Sequence, residues 1–380
     1  MEPLRPRPGA HVVTAVAAEE RRFGSDYLRW AKTHSPATYD LTSSGLPFYR
    51  LRDLPITIDE LELSGSGGYG HEPLIRAIAA RYRVPHECVV TTLGTSMANH
   101  FVYAAVLQPG DEVLIEHPAY EPLPALAAQL GIAVRRFARR ADDGFRLDPA
   151  EVARAVTPKT RLIAITNLHN PSGALATDDE LRAVAAVARG VGAKVLVDEV
   201  YLDALFEPEP RTSFHLGDDF IVTSSLTKVY GLNGLRCGWV FAEPLLAERM
   251  WRLMELFLGH GAMAAELLGL RALEEIDRIA ARSKALLDAN RDALNAFYRT
   301  RQDLDWTEHR FGTVSFPRLR DGTAAALCAR LEQQYDTAVV DGAFFEMPEH
   351  FRIGLGAEPG MFAEGLRRLG LALDGQLTAK

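Results

Sequence analysis

Short apolar runs alternate with helical patterns through the middle of the chain. Seven runs have the length and composition of buried strands: residues 89–93, 112–116, 133–137, 162–166, 194–200, 220–224 and 237–241. Helical patterns lie between several of them, for example at 180–188, where apolar residues recur at helical spacing. Strands that alternate with helices indicate a mostly parallel sheet with helices on both faces. We therefore predict an α/β fold with a seven-stranded sheet.

The pattern changes after residue 245. A long helical stretch, roughly 247–301, is followed by shorter strand-like runs at 313–316, 338–340 and 351–354. This predicts a linking helix and a smaller α+β domain, which a chain of 380 residues can accommodate. The expected units are an N-terminal segment at 1–46 packing on the small domain, a large domain at 47–250, and the linking helix with the small C-terminal domain at 251–380.

Composition excludes several classes of partner. The net charge of -8 argues against nucleic acid and anionic membranes, which both favour basic surfaces. The basic pairs at 135–136 and 139–140 are interpreted as solvated strand ends. No apolar run is long enough to span a membrane. Cys88, Cys237 and Cys328 lack the paired spacing of a metal site, so we expect no metal.

The N-terminus could imitate an export signal, because Arg5 and Arg7 precede a mildly apolar stretch at 10–18. That stretch is interrupted by His11 and Thr14 and runs directly into four charged residues at 19–22. A signal peptide would keep an uninterrupted apolar centre. Together with the odd number of cysteines, this favours a cytoplasmic protein.

Lys228 lies where ligand chemistry is expected. Ligands of parallel sheets bind at the carboxyl ends of the strands. Lys228 directly follows the run at 220–224, between hydroxyl residues and a glycine-rich turn. A buried lysine there is a candidate for covalent bonding to a carbonyl group. Taken alone, it could equally be a surface lysine on a loop.

Four motifs occur in the order that one enzyme family uses. They are an Asn-Pro-Ser-Gly turn from Asn170, an Asp-x-x-Tyr pair at Asp198 and Tyr201, Ser-x-x-Lys at Ser225 and Lys228 with Arg236 eight residues later, and Phe-Arg-Ile around Arg352. Each stands at the end of a predicted strand. From about residue 41 to 356 the chain resembles the class I/II aminotransferases, the aspartate-aminotransferase-like enzymes of fold type I that use pyridoxal 5'-phosphate.

The resemblance implies roles around the ring of that cofactor. Lys228 would hold it covalently and carry a proton during the reaction. Asp198 would lie beside the ring nitrogen and keep it protonated. An opposite charge at about 4 Å is worth roughly 4 kcal/mol, or about three pKa units, at an effective dielectric near 20. Asn170 and Tyr201 would donate hydrogen bonds to the phenolic oxygen. By itself, an Asn-Pro-Ser-Gly sequence is often only a turn.

The cofactor phosphate needs backbone amides and cations. Gly94, Thr95 and Ser96 follow the run at 89–93 and open an apolar helix, whose free amides could bind an anion. By resemblance, Ser225 and Arg236 complete this site. Alone, a Gly-Thr-Ser sequence usually marks only the start of a helix.

Two further residues take roles by resemblance. Tyr120, which follows the run at 112–116, would stack on the cofactor ring, although an ordinary core aromatic remains the alternative. Arg352, together with Asn170, would bind the α-carboxylate of the substrate. The alternative for Arg352 is a structural pairing with Glu346 or Glu349.

The sequence departs from the family pattern before the first strand. Where the family often has a tyrosine that reaches the phosphate of the neighbouring subunit, this chain has Gly65. Tyr69 is the nearest candidate to replace it, with an ordinary loop aromatic as the alternative. The resemblance also implies a homodimer.

The function that the motifs imply is transfer of an amino group between an L-amino acid and a 2-oxo acid. Another enzyme on the same fold, such as a β-eliminating lyase, a cyclase or an oxidase of amino acids, would share these motifs. A regulator that binds the cofactor without catalysis would usually carry a DNA-binding domain, and the first forty residues show no basic helix-turn-helix pattern. No motif in the sequence indicates which substrate side chain the enzyme recognises.

Overall fold

The computed structural model describes residues 23–34, 37–65 and 68–375. The stretch considered as an export signal therefore lies outside the described residues, as do Ser66 and Gly67 of the loop before Tyr69. The helices are α1 Asp26–Thr33, α2 Glu72–Tyr82, α3 Thr95–Val106, α4 Pro122–Leu130, α5 Pro149–Ala155, α6 Asp178–Val191, α7 Pro244–Phe257, α8 Met263–Glu274, α9 Ile276–Arg299, α10 Ala324–Tyr335 and α11 Pro359–Leu373.

The strands group into one large sheet and several small ones. They are β1 Tyr39–Asp40, β2 Val89–Leu93, β3 Glu112–His117, β4 Ala133–Ala138, β5 Thr160–Thr166, β6 Lys194–Asp198, β7 Phe220–Ser225, β8 Cys237–Phe241, β9 Leu304–Asp305, β10 Val314–Ser315, β11 Arg318–Leu319, β12 Thr337–Ala338, β13 Val340–Asp341 and β14 Phe351–Gly354.

The large sheet has seven strands in the order β2-β8-β7-β6-β5-β3-β4. Only β8 runs against its neighbours, and all other pairs are parallel. The predicted mostly parallel seven-stranded sheet is confirmed, and each predicted strand lies within two residues of its observed bounds. Successive side chains of a strand point to opposite faces. In β5, Leu162 and Ala164 therefore contact the core under α3 and α7, whereas Ile163 and Ile165 contact the core under α5 and α6.

A smaller α+β unit follows. Helices α9, α10 and α11 pack together and cover a three-stranded antiparallel sheet, β10-β14-β13. Strand β1 pairs in parallel with β12, so the described part of the N-terminal segment contacts this unit. The helical stretch predicted at 247–301 consists of three helices. The first break occurs around Gly259, whose φ of +70° favours glycine.

One interpretation of the basic pairs is wrong. Arg139 is buried and pairs with the buried carboxylate of Glu116 at 2.9 Å, while its Nε donates to the carbonyl oxygen of Phe145. Glu116 lies on the neighbouring strand β3, so Arg139 is covered rather than solvated, whereas Arg140 is exposed and pairs with Glu151. Glu116 also accepts hydrogen bonds from the amide and the hydroxyl of Thr166.

Two searches of the described ranges gave negative results. None of their helices is both long and apolar enough to cross a membrane. Within the same ranges, no group of three or more His, Cys, Asp or Glu side chains has an arrangement suited to a metal ion.

Candidate active site

The predicted residues meet at the carboxyl ends of the parallel strands, where β14 and the N-terminal segment approach them. The Nη1 atom of Arg352 on β14 donates to Asn170 Oδ1 at 3.1 Å. The Nδ2 atom of Asn170 donates to the Tyr201 hydroxyl at 3.4 Å. Tyr201 and Lys228 both donate to Ser44 Oγ, at 3.0 Å and 3.1 Å. Residues from distant parts of the sequence therefore form one connected site.

Lys228 is half-buried, and two arginines and one carboxylate affect its amine. Burial lowers the pKa of Lys228 to about 8, and the positive charges of Arg352 and Arg236 act in the same direction. The carboxylate of Asp198 opposes them. A lysine with a lowered pKa is a stronger nucleophile near neutral pH, because more of it is uncharged.

Asp198 is a buried carboxylate at the end of β6. Asn99 Nδ2 donates to its Oδ2 at 2.9 Å, and the amide of Val200 donates to its Oδ1 at 3.2 Å. Burial raises the pKa of Asp198 to about 6, although these hydrogen bonds and Lys228 favour the ionised form. No cationic nitrogen of the described residues lies within 4 Å of this carboxylate. The charge of Asp198 is therefore not neutralised by an ion pair within the described residues.

The start of α3 has free backbone amides that could bind an anion. Gly94 precedes the helix with a φ of +79°, and no side chain caps the free amides. The Thr95 hydroxyl donates to Ser225 Oγ at 2.8 Å, while Ser96 is exposed in the first turn. Arg236 lies directly over the turn, with Nη2 3.2 Å from the carbonyl oxygen of Leu93.

Two glycines permit this close packing. A Cβ on Gly94 would lie 2.4 Å from the guanidinium of Arg236. A Cβ on Gly238 would lie 2.6 Å from the backbone of Gly94. Amides, hydroxyls and a guanidinium converge here, which is the donor set that a phosphate dianion needs.

Arg352 is fully buried without an acidic partner. Its Nη2 donates to the Tyr27 hydroxyl at 2.7 Å and to the Thr42 carbonyl at 3.0 Å. Its buried Nε has no hydrogen-bond acceptor in the described chain. No carboxylate of the described residues lies within 4 Å of the guanidinium, and the suggested partner Glu346 instead contacts Arg136 and His117. The structural pairing considered for Arg352 is therefore not observed.

Aromatic rings border the guanidinium. The ring of Tyr27 lies 5.3 Å and that of Phe345 lies 5.1 Å from the Arg352 Cζ atom. Tyr120 meets Tyr27 edge to face, with ring centroids 6.1 Å apart. Burial raises the pKa of Tyr120 well above its usual value, and Tyr201 and Tyr27 add to this effect. Tyr120 is thus a neutral ring at the edge of the site.

The sequence did not reveal three contributors to the site. Ser44 and Tyr27 belong to the N-terminal segment, where no motif distinguished them. Asn99 bridges two elements, because it also accepts a hydrogen bond from Thr223 at 2.7 Å. Asn99 could have been found, since an asparagine one turn into the apolar helix α3 needs a buried partner.

The loop that departs from the family pattern is also described in part. A Cβ on Gly65 would meet the flexible end of Met263 at 2.2 Å, so this position packs against α8. Tyr69 is half exposed; its hydroxyl contacts Glu255, and its ring lies 5.7 Å from that of Trp251. The suggested contact of Tyr69 with a second subunit stays a prediction.

Comparison with known proteins identifies the family. The chain matches the family Aminotransferase class I and II over residues 60–369. It is 30% identical to an arginine–pyruvate transaminase of Pseudomonas aeruginosa over 344 residues, with 83% of this chain and 84% of the relative covered. It is 28% identical to a capreomycidine synthase of Streptomyces vinaceus over 342 residues, which is 87% of either chain.

Solved structures agree in fold. A PLP-dependent aminotransferase from Streptococcus suis superposes with a TM-score of 0.86 at 23% identity, covering 93% of this chain and 98% of that one. The PLP-dependent cyclase OrfR superposes with a TM-score of 0.83 at 25% identity, covering 98% and 100%. The chain belongs to the class I and II aminotransferases and is a transferase that depends on pyridoxal 5'-phosphate.

The residues present fit this cofactor. A ring nitrogen needs an acidic partner, and Asp198 is buried with no cation of the described chain against it. A phosphate needs the uncapped amides and the guanidinium that meet at Gly94. Lys228 is close enough to both groups for their charges to act on its amine: Asp198 raises its pKa and Arg236 lowers it.

Proposed function

We propose that the protein moves an amino group between an L-amino acid and a 2-oxo acid. The observation that carries this proposal is the buried guanidinium of Arg352, which has no acidic partner among the described residues. Hydrogen bonds through Asn170 and Tyr201 connect it to Ser44, which contacts the Lys228 amine. A buried charge without a partner is costly, so a bound carboxylate is the expected counter-ion. Amino acids and 2-oxo acids both carry that carboxylate.

The remaining residues divide the work between holding the cofactor and handling protons. Gly94, Thr95, Ser96, Ser225 and Arg236 would hold the phosphate. Asp198 would hold a proton on the ring nitrogen, and Tyr120 would cover one face of the ring. When bound, pyridoxal phosphate supplies an electron sink that stabilises negative charge at the substrate α-carbon.

Lys228 would attach the cofactor and then act as the general base. Its Nζ would take the proton from the substrate α-carbon and return it at the cofactor. A pKa near 8 suits this exchange, because the amine is then neither fully protonated nor a weak base at neutral pH. Asn170 and Tyr201 would donate hydrogen bonds to the phenolic oxygen and keep the ring in place.

The test is a screen of the twenty amino acids as donors with pyruvate as acceptor, followed by mass spectrometry. An aminotransferase yields alanine and a new 2-oxo acid in equal amounts. The Lys228→Ala variant should make neither. Borohydride should fix the mass of the cofactor onto the wild-type peptide that contains Lys228. A Lys228→Ala variant with normal turnover would contradict the assignment.

A cyclising enzyme is the second candidate. It is supported by the similarity to a capreomycidine synthase and to the cyclase OrfR, each of which covers most of this chain. Cyclisation consumes the amino acid without a second substrate. Product from an amino acid in the absence of any 2-oxo acid, with the α-amino group retained, would support cyclisation and exclude simple transamination.

We also propose a cytoplasmic homodimer. The three cysteines are buried as free thiols, which suits a reducing compartment. Several large apolar side chains between residues 48 and 63 are exposed on the isolated chain, which is typical of a surface that a second subunit covers. Fractionation of cells that produce the protein would test the location.

A further inference from the structure

Ser44 contacts the two most central polar groups of the site. Its Oγ lies 3.1 Å from Lys228 Nζ and 3.0 Å from the Tyr201 hydroxyl, and Ser44 itself is buried. A hydroxyl oxygen can accept two hydrogen bonds. Both acceptor positions of Ser44 are therefore filled by donors of the site.

The backbone around Ser44 is held tightly. The Thr313 hydroxyl donates to the Ser44 carbonyl at 2.7 Å. A Cβ on Gly354 or Gly356 would lie less than 2 Å from the carbonyl oxygens on either side of Ser44, at 1.8 Å and 1.9 Å. Since β14 and the residues after it press directly on this backbone, the Ser44 hydroxyl has little freedom to move away from Lys228.

We propose that Ser44 is a positioning residue, whose hydroxyl oxygen accepts hydrogen bonds from Tyr201 and from the free amine of Lys228 and so fixes the place and the basicity of that amine. This inference rests on Lys228 being the cofactor lysine. It concerns the stage of turnover at which the amine is not bonded to the cofactor. Without Ser44 the amine would have several rotamers open to it, because a lysine side chain is long and flexible.

The electrostatic consequence has a definite sign. The charged and titratable groups that face the Lys228 amine are Asp198, Tyr201, Arg236 and Arg352. Burial and the two arginines lower the pKa of Lys228, while Asp198 raises it. A hydrogen-bond acceptor favours the protonated amine. Removal of the Ser44 oxygen should therefore lower the pKa of Lys228 further, by about one pH unit.

The test uses the full-length chain freed of cofactor, so that its result does not depend on transamination. Trace acetylation of Lys228 is measured by mass spectrometry from about pH 6 to about pH 10, the range in which a perturbed lysine titrates, and gives the pKa of its amine. The variants are Ser44→Ala, and Ser44→Cys, which keeps the volume but replaces oxygen with a weak acceptor. Ser43→Ala is the matched control, because the exposed Ser43 hydroxyl contacts only its own loop. Thermal unfolding checks that each variant is folded.

Ser44→Ala should titrate about one pH unit lower than wild type, Ser44→Cys should shift in the same direction, and Ser43→Ala should not shift. In the holoenzyme, Ser44→Ala should lower kcat about tenfold with little change in KM, since Ser44 holds the lysine and not the substrate. If Ser44→Ala fails to fold, the proposal is tested by whether the pKa of Lys228 is lower in Ser44→Cys than in the wild type. An unchanged Lys228 titration in the folded variants would overturn the proposal, whereas an inactive donor screen would overturn the proposed function alone.

Discussion

Two buried charges of opposite sign define what the site needs from its ligands. Asp198 and Arg352 are both buried, and neither has an oppositely charged partner within 4 Å in the described chain. Removing an ion from water without a partner is costly. Under the proposed function, each would bind a ligand group of opposite charge, a protonated ring nitrogen at Asp198 and a carboxylate at Arg352. Variants that remove either charge should change ligand binding in separable ways.

Arg352→Ala should weaken transition-state binding of the substrate. Loss of the only ionic partner of a buried carboxylate costs roughly 2–5 kcal/mol, so kcat/KM should fall by a factor of at least about 30. Cofactor affinity should stay close to wild type, because the phosphate site is formed elsewhere. Arg367→Ala is the control, since Arg367 is an exposed helix arginine paired with Glu364. Near-normal kcat/KM in Arg352→Ala, or loss of the cofactor, would contradict the role.

Asp198→Asn should stabilise the chain without cofactor in a pH-dependent way. Folding raises the pKa of Asp198 from an ordinary 3.8 to about 6, so the folded chain binds its proton more tightly than the unfolded chain. Stability from this group is therefore greatest below about pH 4 and is lost as the pH rises to about 6. Asparagine is neutral throughout, and the variant should gain about 3 kcal/mol above pH 6.

Urea unfolding of the cofactor-free protein at two pH values measures this gain. The gain at pH 8 should exceed that at pH 5 by about 1.4 kcal/mol, since the folded chain keeps Asp198 mostly protonated at pH 5 but buries its ionised carboxylate at pH 8. Equal gains at both pH values would show that the aspartate carries no desolvation cost. The same variant should bind the cofactor less tightly, because the ring nitrogen loses its acidic partner.

Single residues were predictable where a motif linked them to a strand end. Lys228, Asp198 and Arg352 belong to such motifs, and the structure brings them into one site. Ser44 was not predictable, because its contact with Lys228 spans 184 positions and its neighbours carry no pattern. Arg139 was misinterpreted for the same reason, since its partner Glu116 lies on a different strand. Polar contacts across elements depend on register, which a single sequence does not reveal.

Among the elements, the turn between β2 and α3 depends on its contact with β8. Strand β8 pairs antiparallel with β2, and Cys237 lies opposite Leu93, directly before the turn. Gly238 lies opposite Thr92, and a Cβ on it would lie 2.6 Å from the backbone of Gly94, which follows Leu93 in the turn. Any side chain on Gly238 would push β8 away from the amides that open α3. The shape of the proposed phosphate site thus depends on the packing of two strands as well as on its own sequence.

Gly238→Ala should weaken cofactor binding more than it weakens the fold. Its Cβ would lie 2.6 Å from backbone atoms that cannot rotate away. Overpacking of this kind costs about 1–3 kcal/mol, and if that strain falls on the turn the Kd for pyridoxal phosphate should rise at least about fivefold. Gly234→Ala is the control, because nothing lies within 4 Å of a Cβ there. Fluorescence titration measures both variants, and equal Kd values for them would exclude the proposed strain.

The strands of the large sheet were the best predicted elements. Buried parallel strands such as β5 and β6 have three or four consecutive apolar residues at their centres, which a sequence displays directly. The two-residue strands β1 and β9 have too few residues for any pattern. The division of the helical stretch into α7, α8 and α9 was also missed, because apolar periodicity continues on both sides of each break.

At the scale of the whole molecule, the site is assembled from both ends of the chain. The large sheet supplies Lys228 and Asp198, and the smaller unit supplies Arg352. The described N-terminal segment crosses between them, with β1 paired to β12 and with Tyr27 against Arg352. Since the segment contacts residues of both units, the site is complete only when all three parts are packed together.

Exposed apolar side chains in the stretch that follows the N-terminal segment predict a dimer. Phe48, Leu51, Ile58 and Leu63 are each more than half exposed, as are Leu256 and Phe257 at the end of α7. Exposure of so many large apolar residues is unusual on a monomer. Burial of each is worth roughly 1.5–3 kcal/mol, so an obligate interface is expected. Light scattering of the wild-type protein at micromolar concentration should give twice the chain mass of 41.8 kDa.

Two carboxylates introduced at this exposed apolar surface should break the dimer. The double variant Ile58→Asp with Leu63→Asp should shift the protein toward monomer, because a carboxylate cannot be buried unpaired in an apolar interface. Leu245→Asp is the control: Leu245 is equally apolar and 74% exposed, but it lies at the opposite end of α7 from Phe257. It should remain dimeric. A wild-type protein that is monomeric and fully active would refute the dimer. A double variant that stays dimeric would show that the interface does not include Ile58 and Leu63.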